Sequence, residues 1–141
     1  MRRRSLQSVE ECYRGHSVRV FRLDRAGVLA RLRERARQLI ERRDDVLEVR
    51  LFGSLARDEA HPGSDADLFV LLRDGAPPFL ERIPGLARHF TGLGIGCDVI
   101  AYTELEYRAS VDRNDRFART VLEGGVVLAR RDSPLKSGSS L

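Results

Sequence analysis

No apolar run in this chain approaches the ~18 residues that a membrane-spanning helix needs, so no span is expected. The start, 1–4, is basic, but 5–15 is polar and supplies no apolar stretch of the kind a secretory signal carries; a cytoplasmic protein is the resulting expectation. Cysteine is scarce. Cys12 and Cys97 form no CxxC pair and read as two reduced thiols. His16, His61 and His89 are scattered without ligand spacing, which gives a structural zinc site no support. Internal repeats and low-complexity blocks are absent. With 141 residues there is room for one domain and one modest core, and too little for a catalytic domain together with a full substrate domain.

Lysine is nearly missing as well: Lys136 is the only one, so arginine carries almost all the positive charge. That charge is uneven. Through Arg43 there are thirteen arginines against five acids, an excess of +8, whereas the remainder sums to −4 of the overall +4. A basic N-terminal stretch suits nucleic acid, but a solvated helix face is the simpler reading and nucleic acid is not favoured as a partner.

The alternation over 17–23 predicts a short leading strand. Asp24 stands where an N-cap belongs, ahead of Val28, Leu29, Leu32, Ala36, Leu39 and Ile40, which fall on one stripe of a helix running to about Arg43. Val46–Phe52 reads as a strand leading directly into Gly53-Ser54, followed by a helical turn over 55–59 and a turn at 61–64. Ala66–Leu72 is a mostly apolar strand, as expected where both faces of a sheet are covered. A helix over 77–90 is expected to be interrupted at Pro84-Gly85, and 95–102 reads as a third strand. Thr103 with Glu106 has the form of a capping box. Helix continues over 113–123, Gly124-Gly125 end it, and 126–129 make a closing strand.

Three features stand together in that order: Gly53-Ser54 after one strand, Asp65-Ala66-Asp67 at the head of the next, and Asp98 within a third. A glycine at a strand-to-helix turn lets backbone N–H groups approach a polyphosphate, a helix N-terminus adds donors and a favourable dipole, and the Ser54 hydroxyl can donate to a phosphate oxygen. Residues two apart on a strand share a face, so Asp65 and Asp67 project side by side. Such a pair suits metal ions ~3.5–4 Å apart. Asp98 on a neighbouring strand would complete the coordination and is placed to accept the proton of an attacking hydroxyl. Carboxylates are hard ligands, which points to Mg²⁺ or Mn²⁺.

The segment LFGSLARDEAHPGSDADLFVLL resembles the signature of the polymerase-β-like nucleotidyltransferases, in which G-S, a spacer and D-x-D precede a third acidic residue. It is most similar to the minimal nucleotidyltransferases found beside HEPN-domain partners. CDVIAY resembles that family's third-carboxylate strand and FARTVLEGGVVLAR its closing segment, so the likeness covers about 28–130. The resemblance implies an α/β or α+β domain, with a mixed, largely antiparallel sheet flanked by helices. It implies catalytic and metal-binding roles for Asp65, Asp67 and Asp98. By the same resemblance Gly53 and Ser54 match the triphosphate-binding pair, Arg57 a basic residue near the phosphates, and Ser64 a supporting residue before the first aspartate. Where the family often has glycine after that arginine, this chain has Asp58, a carboxylate expected to pair with Arg57 and weaken its hold on triphosphate.

The expected organisation is a basic segment over 1–23, a minimal nucleotidyltransferase domain over 24–130 and a flexible tail over 131–141. The resemblance implies transfer of AMP from ATP, or of another nucleotide from its triphosphate, to a tyrosine of a HEPN toxin protein, the chain acting as antitoxin. The alternatives are a binding antitoxin with dispensable catalysis, and transfer to an aminoglycoside-like small molecule held in a homodimer groove.

Overall fold

The computed structural model describes residues 9–14 and 18–132. Along the chain these form β1 (Val9–Arg14), β2 (Val18–Leu23), α1 (Arg25–Arg42), β3 (Val46–Phe52), β4 (Ala66–Leu72), α2 (Phe79–His89), β5 (Cys97–Thr103), α3 (Glu104–Asp112), α4 (Arg116–Gly124) and β6 (Val126–Arg130). The main sheet has the order β5-β4-β3-β6. β3 runs antiparallel to both β4 and β6, whereas β4 and β5 are parallel. This is an α+β fold on a mixed, largely antiparallel sheet, as the sequence predicts.

Alternation along the strands divides the sheet into two faces. On one, Val49, Leu51, Leu68, Val70, Val99 and Ala101 pack into a single core with the α1 stripe Val28, Leu29, Leu32, Ala36, Leu39 and Ile40, joined by Leu86 and Phe90 from α2 and its C-terminus. Asp24 caps α1 as expected, its carboxylate accepting from the Gly27 N–H at 3.1 Å. On the other face Phe69 meets Tyr102, Tyr107 and Phe117 at ring-centroid distances of 5.8, 5.1 and 5.7 Å, so α3 and α4 are seated on aromatic contacts. Tyr102 and Tyr107 are thus packing residues.

Several elements depart from the sequence reading. The expected leading strand is β2, and it pairs antiparallel with β1 from Val9↔Leu23 to Arg14↔Val18 as a separate two-stranded sheet. VEECYR is too polar for periodicity alone to reveal β1. α2 is continuous through Pro84, with Leu86 buried beyond it. α3 and α4 are separate helices, because Asn114 takes φ 51° and the Asp115 carboxylate begins a new helix by accepting from the Ala118 N–H at 2.9 Å. Arg131, the first residue of the segment read as a tail, is tied to the fold: its guanidinium donates to the carbonyls of Val46, Ile40 and Arg43 at 3.0, 2.6 and 2.7 Å. The rest of that tail from Ser133 onward, like residues 1–8 and 15–17, lies outside the described residues.

The capping box at Thr103 is present and does more than cap. Glu106 accepts from the Thr103 N–H at 2.9 Å, and its two carboxylate oxygens accept from Arg82 Nη1 and Nη2 at 2.6 and 2.9 Å. Arg82 is buried, and it also donates to the carbonyls of Pro77 and Ala101. The hydrogen bonds from Arg82, above all, hold the Glu106 carboxyl down at about 2. A depressed carboxylate stabilises the fold above its unfolded-state pKa, and that contribution is lost as pH falls toward the folded value. Glu106→Gln is therefore expected to cost about 3 kcal/mol in urea melts near neutrality, the low end of the range for stranding a buried charge because Glu106 itself is half-exposed. The gap between parent and variant should close as pH approaches about 2. A gap that stays constant would assign the loss to packing.

Candidate active site

β3 ends at Phe52, and Gly53 turns the chain with φ 79°. A Cβ at Gly53 would lie 2.2 Å from Asp67 Oδ2, so a glycine is required here both by the backbone conformation and by the close approach of the carboxylate. The segment that follows is a single hydrogen-bonded turn that does not continue into a regular helix, with the N–H groups of Arg57 and Glu59 donating to Gly53 O at 3.2 Å and Ser54 O at 2.8 Å. The dipole of a regular helix is therefore not available at Gly53-Ser54. Buried Leu55 and Ala56 anchor the turn from below, and Arg25 at the start of α1 ties it down, donating to their carbonyls at 3.0 and 3.1 Å.

Asp58 does not pair with Arg57. It takes φ 60°, the left-handed conformation for which glycine is the usual choice, and its carboxylate stands 3.5 Å from Arg25 Nε. Arg57 instead donates from Nε to Glu59 Oε1 at 2.9 Å. Ser64 orders the next turn: its hydroxyl accepts from the His61 N–H at 3.1 Å and its own N–H donates to His61 O at 2.9 Å. This turn delivers the chain to Asp65, immediately before β4.

The acids come together through strand register. Asp67 on β4 is the direct partner of Asp98 on β5, and of Phe52 across the antiparallel ladder. The Ala66 N–H donates to Gly96 O at 2.8 Å, which fixes the two strand starts side by side. Asp67 and Asp98 project from the face that carries Phe69, at its open end; Asp65 and Asp98 are exposed and Asp67 is partly buried. Burial, then the charges of Asp98 and Asp65, push the Asp67 carboxyl above the usual range, while Arg57 acts in the opposite direction. Cys97, next to Asp98, packs against the core on the opposite face, as alternation predicts.

The structure thus brings Gly53, Asp67 and Asp98 into one locus, with Asp65 and Arg57 near enough to act on Asp67 electrostatically. Among the described residues no three His, Cys, Asp or Glu side chains are drawn close enough to form a complete metal cage. In the sequence, Arg113, Arg116 and Arg119 form a ladder that suits an acidic partner or a nucleotide, with surface pairing to Asp112, Asp115 and Glu123 the simpler reading. Arg116 and Arg119 line a groove with Arg57, whereas Arg113, the third arginine of the same ladder, pairs with Asp115 at 3.0 Å. The spacing of the three arginines was visible, but the break at Asn114 that separates Arg113 from the other two was not.

Fold and locus together define a domain with a carboxylate pair at a sheet end beside a glycine turn. The chain belongs to the nucleotidyltransferase domain family, whose profile matches residues 29–126. It is similar in structure to a nucleotidyltransferase crystal structure from Sulfolobus solfataricus, with a TM-score of 0.57 and 20% identity over 77% of this chain and 86% of that one. A toxin–antitoxin crystal structure with AMP-PNP aligns at a TM-score of 0.45 and 20% identity, over 84% of this chain and 86% of that one. No curated protein matches the chain significantly. Among the described residues no helix is long and apolar enough to cross a membrane.

Proposed function

We propose that the protein transfers a nucleotidyl group, AMP from ATP, to a hydroxyl acceptor, and that the acceptor is a tyrosine on a partner protein. The observation that carries the transfer reading is the direct pairing of Asp67 with Asp98 on parallel strands, with Gly53 pressed against the Asp67 carboxylate. Like charges in so close a setting oppose one another unless a cation neutralises them. Their oxygens are hard donors that fit Mg²⁺ or Mn²⁺, and Mg²⁺ is commonly held by one or two carboxylates plus substrate phosphates rather than by an all-protein cage. Asp65, Asp67 and Asp98 would hold the ion, which when bound neutralises the triphosphate and polarises the phosphorus. In the reaction the acceptor oxygen bonds to the α-phosphorus, the α–β bridging P–O bond breaks, and its electron pair leaves on pyrophosphate. Asp98, exposed at the strand start, is placed to receive the hydroxyl proton. Gly53 leaves room at the turn for the Asp67 carboxylate, and Ser54 and Arg57 supply donors to the phosphates.

The protein acceptor rests on the openness of the site and on the sequence resemblance to minimal nucleotidyltransferases with HEPN partners. Asp65 and Asp98 face solvent, so water would be excluded by the surface of a macromolecular acceptor. The partner would be a HEPN toxin and the chain its antitoxin. Incubation with α-labelled ATP, Mg²⁺ and a HEPN-domain protein should place label on a tyrosine of that protein, with chelator abolishing it. Tight binding of the partner with no label on it would instead favour the purely binding antitoxin. Label on an aminoglycoside alone would replace the protein acceptor with a small molecule.

A further inference from the structure

A concave feature lies between α4 and the turn that follows Gly53. It is a groove of about 390 Å³ lined by Arg57, Arg116, Arg119, Thr120, Glu123 and Gly124. Three guanidinium groups share this space with one carboxylate, Glu123. Arg116 and Arg119 are three apart on α4, so they are neighbours on its surface, and like charges at that spacing destabilise a helix. Part of the positive charge is already engaged: Arg57 donates to Glu59 at 2.9 Å, and Arg119 donates to Asn114 O at 2.6 Å. Thr120 spends its hydroxyl on the Arg116 carbonyl at 2.9 Å, which leaves the arginines as the polar side chains that address the groove with donors. Arg116 is the first residue of α4, and the Asp115 carboxylate already caps the positive end of that helix, so the charge facing the groove comes from the guanidinium groups.

Position decides what such a field is for. Arg57 belongs both to this groove and to the turn against Asp67, and its charge acts on that carboxylate. The groove therefore shares Arg57 with the turn that approaches Asp67. Gly124 forms its wall without crowding it: even a Cβ there would stand 3.9 Å from Arg57 Cγ. Arginine is the side chain best suited to phosphate oxygens, through paired parallel N–H donors. A volume of this size lies within the range of small-ligand sites, and a flat patch for an acidic protein would need no concavity.

We infer that the groove is a polyphosphate subsite, in which Arg116 and Arg119 of α4 join Arg57 to hold the two phosphates that leave as pyrophosphate. This deepens the nucleotidyl-transfer reading and rests on it for the identity of the leaving group. The subsite would compensate for the turn's lack of a regular helix by supplying charge from across the groove. It also gives α4 a direct part in substrate binding.

The test is titration calorimetry of the full chain, parent and Arg116→Gln/Arg119→Gln, with Mg²⁺ and each of ATP, inorganic tripolyphosphate and AMP. The double variant should lose about tenfold or more in affinity for ATP and tripolyphosphate, with AMP affinity changed less than about twofold. Its ligand-free melting temperature should be equal to or above that of the parent, since a like-charge pair has been removed. Unchanged affinity for both polyphosphates overturns the subsite, and a simultaneous loss of salt-sensitive binding to an acidic protein would reassign the groove to that partner. A parent that binds tripolyphosphate through these arginines but no nucleotide upholds the subsite and removes the nucleotidyl-transfer reading. A parent that binds neither overturns both.

Discussion

Asp67→Asn is expected to raise the melting temperature of the ligand-free protein while lowering nucleotidyl transfer by about a thousandfold or more. Both effects have one cause. The native state lifts the Asp67 carboxyl through burial and the neighbouring charges of Asp98 and Asp65. A carboxyl raised in the folded state contributes stability that is present below its unfolded pKa and lost as pH rises through the folded value. Near neutrality the ionised side chain therefore costs stability, and the neutral isostere recovers roughly 0.5–2 kcal/mol, a few degrees for a domain of this size. The same substitution removes a charged ligand for the divalent ion, whose stabilisation of transition-state charge is worth several kcal/mol. Thermal scans over a range of pH should show the advantage of the variant vanishing in acid, and adding Mg²⁺ with ATP should stabilise the parent but not the variant. A variant less stable than the parent at neutral pH would mean that Asp67 is held by favourable partners, and the strained-carboxylate account would be wrong.

Gly53→Ala is expected to damage both fold and activity, and its control lies close by. At φ 79° a non-glycine residue costs roughly 1–3 kcal/mol. The new methyl would also stand 2.2 Å from Asp67 Oδ2, so the carboxylate has to move. Displacing a reacting group by about 1 Å can cost on the order of a hundredfold in rate. Gly63 offers the comparison: its φ is 95°, but nothing lies within 4 Å of the position a Cβ would take. Gly63→Ala should therefore reproduce the backbone strain in denaturant melts without the loss of transfer. Equal loss of activity in the two variants would separate the glycine requirement from the carboxylate and assign it to turn geometry alone.

Much of this arrangement is legible in the sequence because its signals are local. The period of α1, its Asp24 cap, the apolar run of β4 and the Thr103–Glu106 box each declare themselves within a few residues. The D-x-D spacing suggests that Asp65 and Asp67 share a strand face, but β4 begins at Ala66, so Asp65 stands just ahead of the strand. The pairing of Asp67 with Asp98 is another matter, since it depends on a strand register set by a crossover. The sequence places Asp98 on a neighbouring strand, and the register supplies what that reading lacks, the direct pairing of the two residues. Charge pairing was the least legible feature. Arg57 and Asp58 are adjacent in sequence, yet the left-handed backbone at Asp58 sends their carboxylate and guanidinium partners apart, to Arg25 and Glu59. Arg31 and Arg35 show the same limit. The basic stretch reads from sequence as a solvated helix face, but in the fold Arg31 donates to Leu93 O and Arg35 to the carbonyls of His89 and Thr91, fastening α1 to the end of α2.

The parallel ladder between β4 and β5 also sets an order of assembly. β3 and β4 are consecutive and antiparallel, so Gly53 and Asp67 can meet as soon as that long hairpin closes. Asp98 has no such local route. It arrives only after the chain has passed through α2 and returned in the same direction, a connection whose closure entropy must be met before any parallel contact compensates it. In refolding followed by pulsed hydrogen exchange, amides of β3 and β4 are expected to gain protection before those of β5. A nascent chain would then hold its glycine turn and first aspartates while still lacking the last carboxylate, and competence for chemistry would coincide with the closing of the domain.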